Sequence, residues 1–176
     1  MKQITLANKV SCLGVGLHSG AQVSLALAPA AADSGIVFRR LDVPAPMALV
    51  PVRHDAVCGT KLGTTIKNAF GTTVSTVEHL MAALWGAGVD NAIIEIDGPE
   101  VPIMDGSAEP FSFLLQCAGT QQQKAKRRVL RILRPVRVED GDKWAEYTPA
   151  DVSSFHFTAD FDHPAIGSQK RELTMM

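Results

Sequence analysis

The chain has 176 residues, 46% of them hydrophobic and 20% charged, with a formal net charge of −1. That length suits one domain, or one domain and part of another, and the composition excludes global disorder. The near-neutral charge excludes a general nucleic-acid binder, which carries a strong positive excess. Cys12, Cys58 and Cys117 lie far apart and form no CxxC pair. This speaks against a disulfide framework or a cysteine zinc site, and for reduced thiols in the cytoplasm. The opening "MKQITLANKV" lacks the apolar core of a signal peptide, and no apolar run approaches the roughly 18 to 20 residues that span a bilayer.

In chain order, "ITLANKVSCLGVGLHSGAQVSLALAPA" reads as strand, glycine turn, strand. Val23, Leu25 and Leu27 alternate with Ser24 and Ala26, the period of a half-buried strand. "GIVFRRL" is a further short strand, ended by Pro44 and Pro46, and "DAVCGTKLG" and "TTIKNAFGTTV" read as short strands with turns. Ser75 and Glu78 have the S-x-x-E spacing of a capping box, which predicts a helix starting at Ser75. Val77, Leu80, Met81 and Leu84 then fall on one apolar face, and Gly86 and Gly88 suit its end. "NAIIEIDG" is a strand, and a second helix is expected over about 108–118, with Phe111, Leu114, Leu115 and Ala118 inward and Gly119 as its stop. The polar run "QQQKAKRR", 121–128, reads as a linker. Beyond it two strands flank an Asp140-Gly141 turn, and "FHFTADF" is a third, an order that faintly repeats the start of the chain. The expectation is a first domain over 1–120, the linker, and the incomplete start of a second unit over 129–176, since "RELTMM" offers no helix to cover those strands.

The chemistry-bearing residues have plain readings from spacing alone. The capping box explains Glu78, and His79 points away from the apolar face of its helix, beside Ala82, Ala83 and Gly86, as a surface histidine would. Small residues there also let a ligand or another backbone approach. A catalytic zinc needs about three protein ligands and an open position. His18, His54, His79, His156 and His163 are scattered, with no H-x-x-x-H pair. "GVGLHSG" lacks the Gly-Lys-Ser/Thr ending of a phosphate loop and precedes a strand, so it reads as a turn. Asp105 or Ser107 reads as a helix cap, and "KAKRR" as a solvated run, with RNA binding through it disfavoured by the overall charge.

Taken together, "GVGLHSG", "TVSTVEHLMAALWGAGVDN", "PEVPIMDGSAEPF" and "VRVEDGDKWAEYTP" resemble the UDP-3-O-acyl-N-acetylglucosamine deacetylase family of lipid A synthesis, from Met1 to about Ser168. The resemblance implies an α+β fold: a two-layer β-α-α-β sandwich domain followed by a second of like topology. It implies a zinc amidase that removes the N-acetyl group, as acetate, from a UDP-amino sugar carrying a 3-hydroxyacyl chain. By the same resemblance His79 is a zinc ligand and Glu78 the general base. The "CGTKLG" segment, with Cys58, Lys61 and Leu62, lies near the acyl passage. Lys143 belongs to the nucleotide end, and Phe161, Asp160 and His18 line the cleft. The family's other zinc ligands, a His-Lys-x-x-Asp stretch, and a further histidine acting as general acid, have no match in these residues. The implied consequences are little or no activity in this chain alone, and self-association through uncovered strands. The alternative is a non-catalytic fragment that binds nucleotide sugar, acyl chain or a partner.

Overall fold

Alternating apolar residues build the central sheet. The structure, a computed structural model, describes residues 1–174. Its strands begin with β1 (Lys2–Leu6), β2 (Val10–Val15), β3 (Gln22–Pro29), β4 (Ile36–Arg40) and β5 (Leu49–Pro51). Three short strands follow, β6 (Val57–Gly59), β7 (Thr65–Lys67) and β8 (Thr73–Val74). Helix α1 (Glu78–Gly86), strand β9 (Ala92–Ile96), helix α2 (Glu109–Ala118) and strand β10 (Thr120–Lys126) complete the first of two compact units, Met1–Arg127.

Five strands pair in the order β2-β3-β9-β4-β5, with β9 antiparallel to β3 and parallel to β4. A parallel neighbour requires a crossover connection, and the chain between β4 and β9 carries β5 to β8 and α1. The inner face is formed by Val23, Leu25, Leu27, Phe38, Ile94 and Ile96, all buried, as the alternation predicts. Leu80, Ala83 and Leu84 of α1 and Phe111, Leu115 and Ala118 of α2 join them in one core. Each fully buried Leu or Phe contributes about 1.5–3 kcal/mol. Glu95, on the other face of β9, pairs with Lys9 and Arg39. This sheet with a helical layer is the expected α+β sandwich. Short strands β6, β7 and β8 form a separate three-stranded sheet, and β1 pairs with β10.

Two expectations need correction. Residues 121–128 are not merely a linker, because most of them form β10, antiparallel to β1. Apolar alternation is absent there because polar pairing takes its place: the Asn91 amide donates to both Gln3 and Gln123, at 2.8 and 2.7 Å. Helix α1 begins at Glu78 with Val77 as its cap residue, and no side chain caps it. The second helix ends as expected at Gly119, φ 65°, the left-handed position that glycine fills without steric cost.

The second unit begins at Arg128. It contains two hairpins, β11 (Val136–Asp140) with β12 (Lys143–Tyr147), and β13 (Ser154–Asp160) with β14 (Ser168–Thr174). Gly141, φ 61°, makes the first turn, as the Asp-Gly pair predicts. The register puts Val136, Val138, Ala145 and Tyr147 on one face of the first hairpin, and Phe155, Phe157, Ala159 and Leu173 on one face of the second. No described residue of this unit is buried. Among the described residues no helix is long and apolar enough to cross a membrane.

Candidate active site

Four connections are tied together around the N-terminal end of α1. They are the β2–β3 turn (16–21), the β6–β7 loop (60–64), the β8–α1 link (75–77) and the β9–α2 segment (97–108). Isolated bridges stitch Gly16 to Pro102 and Ser75 to Glu100. The Ile103 N–H donates to the Val15 carbonyl, 2.9 Å, and the Ser75 N–H to the Pro99 carbonyl, 2.8 Å. Leu62, Thr76 and Met104 all lie in these connections with left-handed backbone, φ 58°, 57° and 54°. Such residues cost about 1–3 kcal/mol each, and persist where the surrounding structure fixes them.

Thr76 decides what Glu78 does. Its left-handed turn breaks the helical path between Ser75 and α1, so the two side chains do not cap each other. The Ser75 hydroxyl donates instead to the Pro99 carbonyl, 3.1 Å. Glu78, exposed at the first turn of α1, accepts the Thr64 N–H at Oε1. On the other side of the same loop, His18 donates from Nε2 to the Leu62 carbonyl, 3.1 Å. Gly63 lies between them. A Cβ built on it would stand 3.7 Å from His18 Nε2, 3.8 Å from Glu78 Oε1 and 3.8 Å from Thr76 Oγ1. Three polar groups from two chain segments, His18 from one and Thr76 and Glu78 from the other, therefore converge on the space beside one glycine.

His79 is neither a surface histidine nor a core one. It is half-buried, with its ring edge-on to Phe111 at a centroid distance of 5.1 Å. Its Nε2 lies 3.0 Å from the Pro102 carbonyl. A carbonyl only accepts, so Nε2 is the nitrogen that donates here. The neighbouring Asp105 has its carboxyl held below the ordinary range by the Ser107 N–H and hydroxyl, with a smaller contribution from His79. The Ser107 hydroxyl also accepts the Glu109 N–H, 3.1 Å, at the start of α2.

Behind these groups stands Glu100, 2% exposed. Its Oε1 accepts the His18 N–H, 2.9 Å, and the Thr76 hydroxyl, 3.1 Å. Its Oε2 accepts the Ser19 N–H, 2.9 Å. Burial pushes its pKa up, but the hydrogen bonds from Ser19, His18 and Thr76 together outweigh that and hold it down at about 2.

This arrangement lies within a stretch that matches the family model for UDP-3-O-acyl N-acetylglycosamine deacetylase over residues 3–176. The chain belongs to that family. It is 54% identical over 175 residues to the UDP-3-O-acyl-N-acetylglucosamine deacetylase of Idiomarina loihiensis. It is 51% identical to the proteins of the same name from Pasteurella multocida and Photobacterium profundum. Each match covers 99% of this chain and 57% of the relative, so the chain spans little more than half the length of these deacetylases.

Of the residues that the family resemblance singles out, the structure brings together Glu78, His18 and Leu62, with His79 next to Glu78 at the head of α1. Cys58 is exposed on β6, and Lys61 and Leu62 are exposed in the loop that follows, Leu62 at 80%. Lys143 on β12, Asp160 at the end of β13 and the exposed Phe161 belong to the second unit. Sequence reading passed over Thr64, Thr76 and Glu100. The signal for Glu100 was an acidic residue inside "GPEVPI", a run otherwise without charge. Among the described residues no three of His, Cys, Asp or Glu are placed to hold a metal ion. With Ser75 serving Pro99 rather than the helix, the losses at Ser75→Ala, about 1 kcal/mol, and at Glu78→Ala are expected to add in the double variant to within about 0.5 kcal/mol. Urea unfolding of the three variants checks this, and a coupling larger than about 0.5 kcal/mol would restore the capping box.

Proposed function

We propose that the Met1–Arg127 unit supplies the proton-accepting part of a deacetylase site. The reaction is hydrolysis of the N-acetyl group of UDP-3-O-(3-hydroxyacyl)-N-acetylglucosamine, in the cytoplasm, as a step of lipid A biosynthesis. The observation that carries this reading is the position of Glu78: unused by the helix cap, exposed, and facing His18 across Gly63. Amide hydrolysis needs a base to take a proton from the attacking water and an acid to give one to the departing nitrogen. Glu78 is the base. The Thr64 N–H fixes its carboxylate through Oε1, and Oε2 takes the proton from water. Acetate and a free amine are the products.

Zinc is the ion that the family resemblance brings, and it would supply a Lewis acid. The described residues do not by themselves form such a site, since a catalytic zinc takes three protein ligands and no such group is present among them. His79 fits the part of one ligand. Its Nε2–H is held by the Pro102 carbonyl, and a second-nitrogen partner of that kind is what metal-bound imidazoles have. Cys58, Lys61 and the apolar, exposed Leu62 are proposed to meet the acyl chain, and Lys143 and Phe161 the rest of the substrate. We read the second unit as the opening strands of a second domain, supported by the strand, glycine turn, strand order shared by β2–β3 and β11–β12. The second functional reading, a non-catalytic unit that binds nucleotide sugar, acyl chain or a partner, draws on the same lack of a complete ligand set.

With zinc added, the chain alone is expected to show no turnover above background. A chimera in which it replaces the matching residues of the Idiomarina loihiensis deacetylase is expected to turn over, and Glu78→Gln to lower its kcat by about 10²–10⁴-fold. A folded but inactive chimera would contradict the reading, as would an unchanged kcat in the variant. The exposed Val138, Tyr147, Phe157 and Leu173 support association between copies. Sedimentation velocity of the chain is expected to show species larger than a monomer, and a single monomeric boundary at all concentrations would refute that part.

A further inference from the structure

We propose that Glu100 is the positioning residue of this site: its carboxylate pins the β2–β3 turn to Thr76 and so holds the His18 imidazole across Gly63 from Glu78. The catalytic meaning of that placement rests on the deacetylase reading; the placement itself does not. A buried carboxylate with no cation beside it needs donors for both oxygens. Glu100 takes them from two segments far apart in the chain, the N–H groups of His18 and Ser19 and the hydroxyl of Thr76. The approach is close at Gly16, where a Cβ would crowd both the Ser19 hydroxyl and the Glu100 carboxylate. The backbone of His18 is thereby fixed at one end, and the Leu62 carbonyl fixes the ring tip at the other. Thr76 lies two residues before Glu78, so the same carboxylate also fixes the backbone from which Glu78 departs. A folding anchor would be equally satisfied by donors anywhere in the loop; here the donors are the backbone of one candidate residue and the approach to another.

Glutamine has the shape of glutamate but only one acceptor oxygen, and its amide would face N–H donors. In the 176-residue chain, Glu100→Gln is expected to release the ring. The His18 Nε2 proton should exchange with water about tenfold or more faster than in the unaltered chain, while amides of β3 and β9 keep their protection. Thr76→Val removes a single hydroxyl and should act in the same direction with smaller size, so the proposal stays open to refutation should Glu100→Gln fail to fold. An unchanged His18 ring in either folded variant overturns it. In the chimeric deacetylase, Glu100→Gln is expected to lower kcat about 10–100-fold with KM held within about twofold, and Glu100→Asp to recover part of the loss. Equal loss in both substitutions, or a change in KM alone, counts against the positioning role. An inactive chimera with Glu100 intact strikes at the deacetylase reading instead, and the ring measurement still decides the placement.

Discussion

A carboxylate taken out of water must find donors or give up its charge, and this requirement at Glu100 organises the rest of the site. Its partners come from the β2–β3 turn and from the link into α1. The sheet fixes where the strands end, but beyond it the β2–β3 turn buries no apolar side chain, only the backbone of Gly16, and the link into α1 buries one, Val77. Satisfying one buried charge joins them. The bridges from Gly16 to Pro102 and from Ser75 to Glu100 then follow as backbone pairing between segments already held together.

The same constraint decides between two roles for Glu78. A helix that started smoothly at Ser75 would consume the Glu78 carboxylate in its own cap. Thr76, donating to Glu100 from a left-handed conformation, prevents that start. The first turn of α1 is left uncapped by side chains, and the carboxylate turns to Thr64 in the β6–β7 loop. The uncapped turn has a local cost, comparable to the roughly 1 kcal/mol that a good cap contributes. Core contacts made by Leu80 and Leu84 exceed it, since each such side chain contributes about 1.5–3 kcal/mol. Stability built in the core thus permits an unfavourable geometry at the site.

Much of this was legible in the residues. The alternation of Val23, Leu25 and Leu27 gave the face of β3 correctly, and the 3.6-residue spacing of Phe111, Leu115 and Ala118 with Gly119 gave α2 almost to the residue. These patterns are local records of burial. The start of α1 was not legible because the S-x-x-E pattern is local while the force that overrides it comes from Glu100, more than twenty residues away. Strand β10 was missed for a related reason: Gln123 is held by Asn91 and by the Ala30 carbonyl, so pairing at this strand is secured by amides rather than by an apolar period. The "STVEHL" and "PIMDGSAEPF" stretches pointed to the family that the match confirms. Read singly, each looked like a cap or a turn, because the groups that make them a site meet only in three dimensions.

The two units differ in how far their sequences have been satisfied. Met1–Arg127 has a core, and its buried polar side chains have partners. From Arg128 on, apolar strand faces are formed but none is buried among the described residues. Within the first unit the candidate site depends on the ionised, donor-filled state of Glu100. Because its pKa in the folded chain lies below the ordinary 4.5, this group adds stability above about pH 4.5, and that contribution is lost as pH falls through about 2. The direct measurement is a carbon-13 titration of the Glu100 side-chain carboxyl in the folded chain. A titration midpoint at about 2 is the expected result; a midpoint near 4.5 would mean that the carboxylate is not held by these donors.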